Sequence, residues 1–141
     1  MKREPAWLSL QAVLAIHDRL LADHGGKAGV RDLGLLQSAI AAPRNHLAYA
    51  GSNLFSLAAT YASAITRDHP FHDGNKRVAF TLAAVFLELN GISLNAEEHA
   101  VVQHVTALSA RELSMEDFAA WLEANSRRVS RFGFRIQRRK P

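Results

Sequence analysis

One stretch of the sequence, residues 69–87, constrains the fold more than any other, because in it a polar loop runs directly into an apolar helix. Between residues 78 and 87 the only polar side chain is that of Thr81. A helix that is apolar almost all round is buried in the middle of its domain. The sequence therefore predicts that residues 69–77 form a loop at the mouth of the innermost helix.

The start of this helix has the features of an anion-binding site. Gly74 permits close backbone approach and unusual dihedral angles, and Asn75 then opens the helix. The first turn of a helix leaves amide N–H groups unpaired and carries the positive end of the helix dipole, so it attracts anions. Lys76 and Arg77 add two positive charges at the same place. These four residues are therefore candidate ligands of a phosphate group.

Two further side chains complete a set that suits phosphate chemistry. Asp73 is a lone carboxylate beside the predicted phosphate site, where its simplest role is to hold Mg²⁺. His69 supplies an imidazole, the side chain best suited to act as a general base near neutral pH. A base, a metal ligand and a phosphate cradle are what phosphoryl or nucleotidyl transfer requires.

Other interpretations of these residues stay open. His69, His72 and Asp73 can instead ligate a transition metal in a hydrolase, although no further histidine-rich element supplies the remaining ligands. The loop is not a Walker A motif, because the upstream glycine and the following Ser or Thr are missing. The glycine-rich residues 25–29 resemble a phosphate loop, but we interpret them as the end of the first helix. The histidines interpreted as surface or helix-packing residues are His17, His24, His99 and His104.

Capping residues and hydrophobic periodicity predict an all-α, single-domain bundle of about six helices around one buried central helix. Pro43 is expected to end the second helix and to be followed by a loop of about nine residues. Asn95 and Glu98 have the form of a capping box, after a short extended connection at residues 92–94. The predicted helices span about residues 9–23, 32–42, 53–67, 75–90, 95–110 and 114–125.

Length and composition place the chain among cytoplasmic proteins. At 141 residues it is one domain by size, and the absence of cysteine is compatible with a reducing compartment. The N-terminus lacks the apolar segment of a signal peptide. Residues 45–66 contain no Asp, Glu, Lys or Arg, but they carry too many other polar side chains to span a bilayer.

The positive charge of the chain is concentrated at its C-terminus. Residues 1–126 contain all 13 acidic residues and 10 of the 17 Lys and Arg residues, whereas residues 127–141 contain seven basic residues and no acidic one. We therefore predict a domain over residues 1–126 and a basic tail over residues 127–141. Residues 131–135 alternate basic and aromatic side chains, which suits RNA, but we favour disorder or contact with a protein partner over contact with nucleic acid.

The loop and its surroundings resemble the signature of the Fic/Doc (Fido) family. The similarity is greater to its death-on-curing branch, the Doc-type toxins of type II toxin–antitoxin systems. It extends well beyond the loop, over about two thirds of the chain. The segments that carry it are residues 16–18, 25–32, 53–55, 58–61 and 69–91.

The resemblance implies a role for each residue of the loop. His69 matches the general base that deprotonates a hydroxyl of the target protein, and Asp73 matches the ligand of Mg²⁺ on the nucleotide phosphates. Phe71 matches a buried aromatic residue that anchors the loop in the core. The positions that match the nucleotide- and phosphate-binding turn are Gly74, Asn75, Lys76 and Arg77. ATP and Mg²⁺ are therefore the expected cofactors.

Two positions favour the Doc branch. Fic members that transfer AMP typically have glycine where this chain has Lys76, and a second arginine where it has Phe80. Both departures resemble Doc, which implies transfer of the γ-phosphoryl of ATP to a Ser or Thr hydroxyl of a target protein, elongation factor Tu, and inhibition of translation. Pro70 and Gly74 are the Fic-like choices, so AMP transfer is the alternative. A catalytically inactive module that binds anions or a partner is the second alternative.

The resemblance also implies a protein partner that restrains the toxin. Fic proteins often carry an inhibitory helix, but residues 93–98 match its motif poorly and follow the central helix. We therefore predict inhibition in trans by a cognate antitoxin whose disordered segment folds on the toxin. Residues 44–52 correspond to the flap that docks the target.

Overall fold

A computed structural model describes residues 4–50 and 53–129 of the 141-residue chain. Within those residues the chain forms six helices and one small two-stranded sheet, which confirms the predicted all-α bundle. In chain order the elements are α1 (Leu10–His24), α2 (Leu33–Ala50), α3 (Leu54–Asp68), α4 (Asn75–Leu89), β1 (Ile92–Leu94), α5 (Glu98–Ser109), α6 (Met115–Ala124) and β2 (Ser126–Arg128).

Side-chain caps begin most of the helices where the sequence predicts them. Ser9, Asn53 and Ser114 cap α1, α3 and α6, each accepting a hydrogen bond from the backbone N–H three residues further on, at 2.8–3.1 Å. Asp32 caps α2 in the same way through the N–H of Leu35, at 3.0 Å. A cap of this kind stabilises a helix by about 0.5–2 kcal/mol relative to alanine. These local signals are sufficient to fix where four helices begin.

Helix α2 is longer than predicted, because Pro43 does not end it. The helix continues through Pro43 as far as Ala50. The proline is buried, and Leu36 and Leu47 lie on the same helical face and pack into the core. Contact of this face with α3 outweighs the lost backbone hydrogen bond and the ring clash, which cost about 3 kcal/mol. The predicted flap, residues 44–52, is therefore helical as far as Ala50, and its last two residues lie outside the described part of the chain.

Helix α5 begins two residues later than the capping box predicts. Its N-cap is Glu97, whose carboxylate accepts a hydrogen bond from the N–H of Ala100 at 3.0 Å. Asn95 instead extends the pairing of the two strands, donating its N–H to the carbonyl of Asn125 at 2.9 Å. This pairing with a residue 30 positions away keeps Asn95 out of the helix.

The central helix of the bundle is α3, not α4 as the sequence predicts. Ten of the 15 residues of α3 are buried, compared with six of the 15 in α4. Small side chains make this possible, because they let α2, α4 and α6 approach α3 on different sides. The alanines buried in α3 are Ala58, Ala59, Ala62 and Ala64. Helix α4 is the next layer, with its apolar face on α3 and its first turn at the surface.

A short antiparallel sheet closes the bundle at its C-terminal end. Strand β1 pairs with β2 so that Ile92 lies opposite Arg128. Beyond the strands, the N–H of Val129 donates to the carbonyl of Gly91 at 2.6 Å. Strand β2 therefore crosses the predicted boundary between residues 126 and 127, and the ordered pairing continues to Val129. The rest of the predicted tail, residues 130–141, lies outside the described residues.

Residues 45–66, the stretch without Asp, Glu, Lys or Arg, are divided between α2 and α3. Two of their polar side chains, those of Thr60 and Thr66, are buried in the bundle; the hydroxyl of Thr60 donates to the carbonyl of Ser56 at 2.7 Å. Across residues 4–50 and 53–129, no helix combines the length and the apolarity that crossing a membrane requires.

Candidate active site

The side chains that the sequence singles out surround one cavity between the loop, α1, α4 and α5. The volume of this cavity is about 810 Å³. His69, Asp73 and residues 74–77 all line it. Phe71 lies behind the loop in the core, where it is 1% exposed, as expected of an anchor. The structure thus brings the polar residues of the loop together at the first turn of α4.

His69 lies at the end of α3 in a left-handed backbone conformation. Its φ is 48° and its ψ is 57°, and its N–H still donates to the helix, to the carbonyl of Ile65 at 3.0 Å. A residue other than glycine adopts this conformation at a cost of about 1 kcal/mol, where its surroundings hold it there. Arg31 does so: its Nε donates to the carbonyl of His69 at 2.7 Å, and its Nη2 to that of Asp68 at 2.8 Å. The chain thereby leaves α3 with His69 beside the cavity.

Phe71 anchors the loop through its ring and through its backbone. The ring is buried and stacks on the imidazole of His17, with 3.9 Å between the centroids. The N–H of Phe71 donates to Oδ1 of Asn75 at 3.1 Å, and its carbonyl accepts from Nδ2 of Asn75 at 3.0 Å. The backbone of Phe71 also pairs with Val30 in an antiparallel bridge. The side chain of Asn75 therefore closes the loop on itself.

Asp73 is held at two points while its side chain stays exposed. Its Oδ2 accepts a hydrogen bond from the N–H of Lys27 at 2.8 Å, and its backbone carbonyl accepts one from Nε2 of His17 at 3.0 Å. Gly26 lies against it so closely that a Cβ there would be 3.3 Å from the Cβ of Asp73. Residues 25–29 therefore end α1, as predicted, and also position Asp73, which the sequence analysis did not foresee.

The first turn of α4 presents backbone N–H groups to the cavity. Gly74, with φ 81°, is the N-cap, and the first helical hydrogen bond runs from the N–H of Val78 to its carbonyl at 2.9 Å. Within the described residues, the N–H groups of residues 74–77 have no hydrogen-bond acceptor, and no ion pair forms with Lys76 or Arg77. The free donors and the two cations make this turn the positive end of the cavity.

A second wall of the cavity is largely apolar and comes from α4 and α5. Phe80 lines it, and its ring lies 6.4 Å from that of Trp121 in α6. Val102 on α5 is 58% exposed. Helical periodicity shows which residues share a face but not which element that face meets, so this wall could not be predicted from the sequence. The lining residues outside the predicted set are Leu20, His24, His72, Phe80, Thr81, Ala96, Glu98, Val101, Val102, Val105 and Thr106.

Among residues 4–50 and 53–129, two carboxylates line the cavity, those of Asp73 and of Glu98 in the first turn of α5. In the part of the chain that the structure describes, no three His, Asp or Glu side chains are grouped to hold a metal ion by themselves. The alternative hydrolase site, His69, His72 and Asp73, does not form such a group. A divalent cation at Asp73 would take its remaining ligands from water or from a bound phosphate.

Fold and site together define a helical domain in which a positively charged helix start and an adjacent histidine line one cavity. The sequence matches the model of the Fic/DOC family over residues 7–87, which include α1 to α3 and nearly all of α4. The chain therefore belongs to the Fic/Doc family, and the resemblance seen in the sequence is confirmed.

Two curated relatives refine the comparison. The protein named Protein kinase doc, from Escherichia phage P1, is 35% identical over 88 residues, which cover 62% of this chain and 70% of the phage protein. The protein named Toxin Doc, from Mycolicibacterium smegmatis, is 40% identical over 75 residues, which cover 52% of this chain and 58% of that toxin. Both relatives carry the Doc name, in agreement with the branch that Lys76 and Phe80 favour.

Proposed function

We propose that this protein is a Doc-like toxin that transfers the γ-phosphoryl of ATP to a Ser or Thr hydroxyl of a protein of the translation machinery, with elongation factor Tu as the expected target. The observation that carries the proposal is the grouping of His69, Asp73 and the positive first turn of α4 around one cavity. One relative is named as a protein kinase, which supports phosphoryl transfer, and another is named as a toxin, which supports the proposed toxicity.

The residues of the cavity have separable tasks in this reaction. His69 accepts the proton of the attacking hydroxyl, which makes the oxygen a better nucleophile. The free N–H groups of residues 74–77 and the side chains of Lys76 and Arg77 bind the phosphate oxygens and stabilise the negative charge that they carry in the transition state. Asp73 remains as the carboxylate that holds a cation against those phosphates.

The donor set of the cavity fits Mg²⁺ and ATP. Mg²⁺ keeps several waters and is usually bound by one or two carboxylates together with substrate phosphates. Asp73 is such a carboxylate, and among the described residues only its Oδ2 accepts a hydrogen bond, from the N–H of Lys27. When bound there, Mg²⁺ would neutralise phosphate charge and orient the phosphoryl group.

Transfer of phosphoryl is favoured over transfer of AMP by the side chain at position 80. Phe80 lines the cavity beside the apolar wall and packs near Trp121. A phenyl ring has none of the five N–H donors with which a guanidinium holds phosphate oxygens. The triphosphate must therefore be held mainly at the first turn of α4, by Lys76 and Arg77.

A cognate antitoxin is the second partner in the proposal. On α5, Val102 is 58% exposed and the partly buried Val101 lies next to it, so the cavity wall offers some apolar surface to a partner. A disordered segment that folds on the toxin needs apolar surface of this kind to offset the entropy of its ordering. A toxin with these partners acts in the cytoplasm.

The test is incubation of the purified protein with Mg²⁺, γ-labelled ATP and purified elongation factor Tu, or a cell extract, followed by mass spectrometry of any labelled protein. We expect a phosphoryl group on one Ser or Thr, and a rate about 10² to 10⁴ times lower for His69→Ala, because the general base is lost. His99→Ala is the matched control, since His99 is exposed on α5 and does not line the cavity.

Other outcomes select the alternatives. Addition of an AMP group would show adenylylation in place of phosphorylation. Growth arrest that persists in His69→Ala, with no mass added to any protein, would show that the toxin acts by binding alone.

A further inference from the structure

We propose that His17 is a positioning residue of the active site: its ring holds the peptide between Asp73 and Gly74 so that the N–H of Gly74 points into the cavity as a phosphate donor. This inference rests on the proposed function. It assigns a task to a buried histidine that lies 56 positions from Asp73 in the chain.

The position of the His17 ring is fixed by packing. The residue is 2% exposed, and its ring stacks nearly parallel on Phe71, with 3.9 Å between centroids and 17° between planes. A Cβ built on Gly74 would lie 3.9 Å from Nε2 of the same ring. His17 therefore contacts the loop on both sides of Asp73.

The hydrogen bond of this ring determines how the next peptide is oriented. Nε2 of His17 lies 3.0 Å from the carbonyl oxygen of Asp73. A carbonyl oxygen can only accept, so Nε2 carries the proton and donates it. Within the described residues every peptide bond is trans, and in a planar trans peptide the C=O and the N–H point in opposite directions. Holding the carbonyl of Asp73 toward α1 therefore turns the N–H of Gly74 away from α1.

The freed N–H group is on the side where a ligand would need it. Gly74 lines the cavity, and its N–H has no acceptor within the described residues. Its φ of 81° lets this amide and the following ones converge, an arrangement that binds anions. Without the His17 bond the peptide could rotate, because glycine restrains its own dihedral angles very little.

The test compares two substitutions at position 17. His17→Phe keeps a ring to stack on Phe71 but has no donor, whereas His17→Gln places an amide N–H where Nε2 stood. The matched control is His104→Phe: His104 also stacks on an aromatic ring, that of Trp121 at 4.2 Å, and bonds to a backbone carbonyl, but does not line the cavity.

Binding is measured by NMR, from the shift of the Gly74 amide on titration with inorganic phosphate and with the Mg²⁺ complex of adenylyl imidodiphosphate. We expect a downfield shift in the unsubstituted protein and in His104→Phe. His17→Phe should bind about 10- to 100-fold more weakly, which is what one hydrogen bond to a charged group contributes. His17→Gln should restore binding to within about threefold.

Several results would overturn the inference. One is unchanged phosphate affinity in His17→Phe; another is equal weakening in His17→Phe and His17→Gln, which would assign the effect to ring packing alone. If His17→Phe does not melt cooperatively, the tautomer of His17 in the unsubstituted protein, determined by NMR, provides the test instead. An imidazole protonated only at Nδ1 is incompatible with the proposed hydrogen bond from Nε2. Phosphate binding at Gly74 without phosphoryl transfer to any protein would contradict the proposed function but would remain consistent with this inference.

Discussion

At the scale of single residues, the loop that carries His69 is held mainly by side chains from α1 and from the segment between α1 and α2. His17 and Arg31 donate hydrogen bonds to backbone carbonyls of residues 73, 69 and 68. None of these contacts fixes a cavity side chain directly; each fixes the backbone from which such a side chain projects. Substitutions at these supporting positions should therefore affect the chemistry without removing any group that touches the substrate.

Arg31→Ala tests whether this support of the backbone matters for the proposed reaction. Loss of its two hydrogen bonds leaves His69 less well held in its left-handed conformation, so we expect kcat to fall about 3- to 10-fold, as for one or two net hydrogen bonds. Nucleotide affinity should be unchanged, because the first turn of α4 is not touched. Steady-state kinetics of phosphoryl transfer separate the two quantities.

The control for Arg31 is Arg19→Ala, which removes an arginine of the same region. Arg19 pairs with Asp23 on the surface of α1, and the two side chains are 79% and 51% exposed. Such a pair contributes about 0–1 kcal/mol, so neither activity nor stability should change measurably. Equal losses of kcat in the two variants would refute a specific role for Arg31.

The residues that we propose for the chemistry stand out in the sequence, whereas those that support them do not. Residues 69–77 are contiguous, so their types and spacing already suggest a base, a carboxylate and an anion-binding turn. The partners of the loop come from residues 17–31, and only the packed tertiary structure shows that these segments meet. A buried histidine in α1 has no local signal that separates helix packing from support of a site.

At the scale of elements, starts of helices were easier to predict than ends. Ser9, Asn53 and Ser114 act within four residues of themselves, so a cap can be read from the sequence. Pro43 failed as a stop signal because the apolar face on both sides of it packs on α3. The sequence also does not show that α3 is more deeply buried than α4. The alanines of α3 are buried because neighbouring helices approach closely, and their own hydrophobicity is too small to indicate this.

The turn between α4 and β1 gives a prediction for stability. Gly91 has φ 84°, and a Cβ there would lie 2.8 Å from the carbonyl oxygen of Val129. Gly91→Ala should therefore lower the free energy of unfolding by about 1–3 kcal/mol, through backbone strain and displacement of β2. Urea denaturation followed by circular dichroism measures the change.

A glycine-to-alanine substitution at position 34 should instead raise the free energy of unfolding. Gly34 lies in the first turn of α2, where a Cβ would make an ordinary contact, 3.4 Å from Oδ1 of Asp32. Gly34→Ala is expected to stabilise the protein by up to about 1 kcal/mol, since alanine is the better helix former. A Gly91→Ala variant at least as stable as the unsubstituted protein would contradict the geometry assigned to Gly91, and a destabilised Gly34→Ala variant would contradict the ordinary contact assigned to Gly34.

At the scale of the whole molecule, the core contains one phenol that makes stability depend on pH. Burial raises the pKa of Tyr61 above its ordinary value of 10.0, while a hydrogen bond from the N–H of Leu8 and the charge of Arg44 lower it by less. The folded protein therefore binds this proton more tightly than the unfolded chain does. The stabilising contribution is complete below about pH 10 and is lost as the pH rises through the raised pKa.

Tyr61→Phe isolates this effect. Between about pH 9 and pH 11, the free energy of unfolding of the unsubstituted protein should fall more steeply than that of the variant, because phenylalanine has no proton to lose. Chemical denaturation at a series of pH values gives both slopes. Parallel slopes would show that Tyr61 ionises alike in the folded and the unfolded chain.

Residues 69–74 are held by α1 and by the segment that follows it, so the geometry of the site depends on the folded domain. Each of its supports, from the imidazole of His17 to the amide of Lys27 and the guanidinium of Arg31, reaches it across more than 35 positions of sequence. A nascent chain or a proteolytic fragment that contains the motif alone would lack the geometry on which phosphate chemistry depends. The proposed toxicity therefore depends on the folded domain, and proteolytic cleavage between α1 and α2 is expected to abolish it while residues 69–77 stay intact.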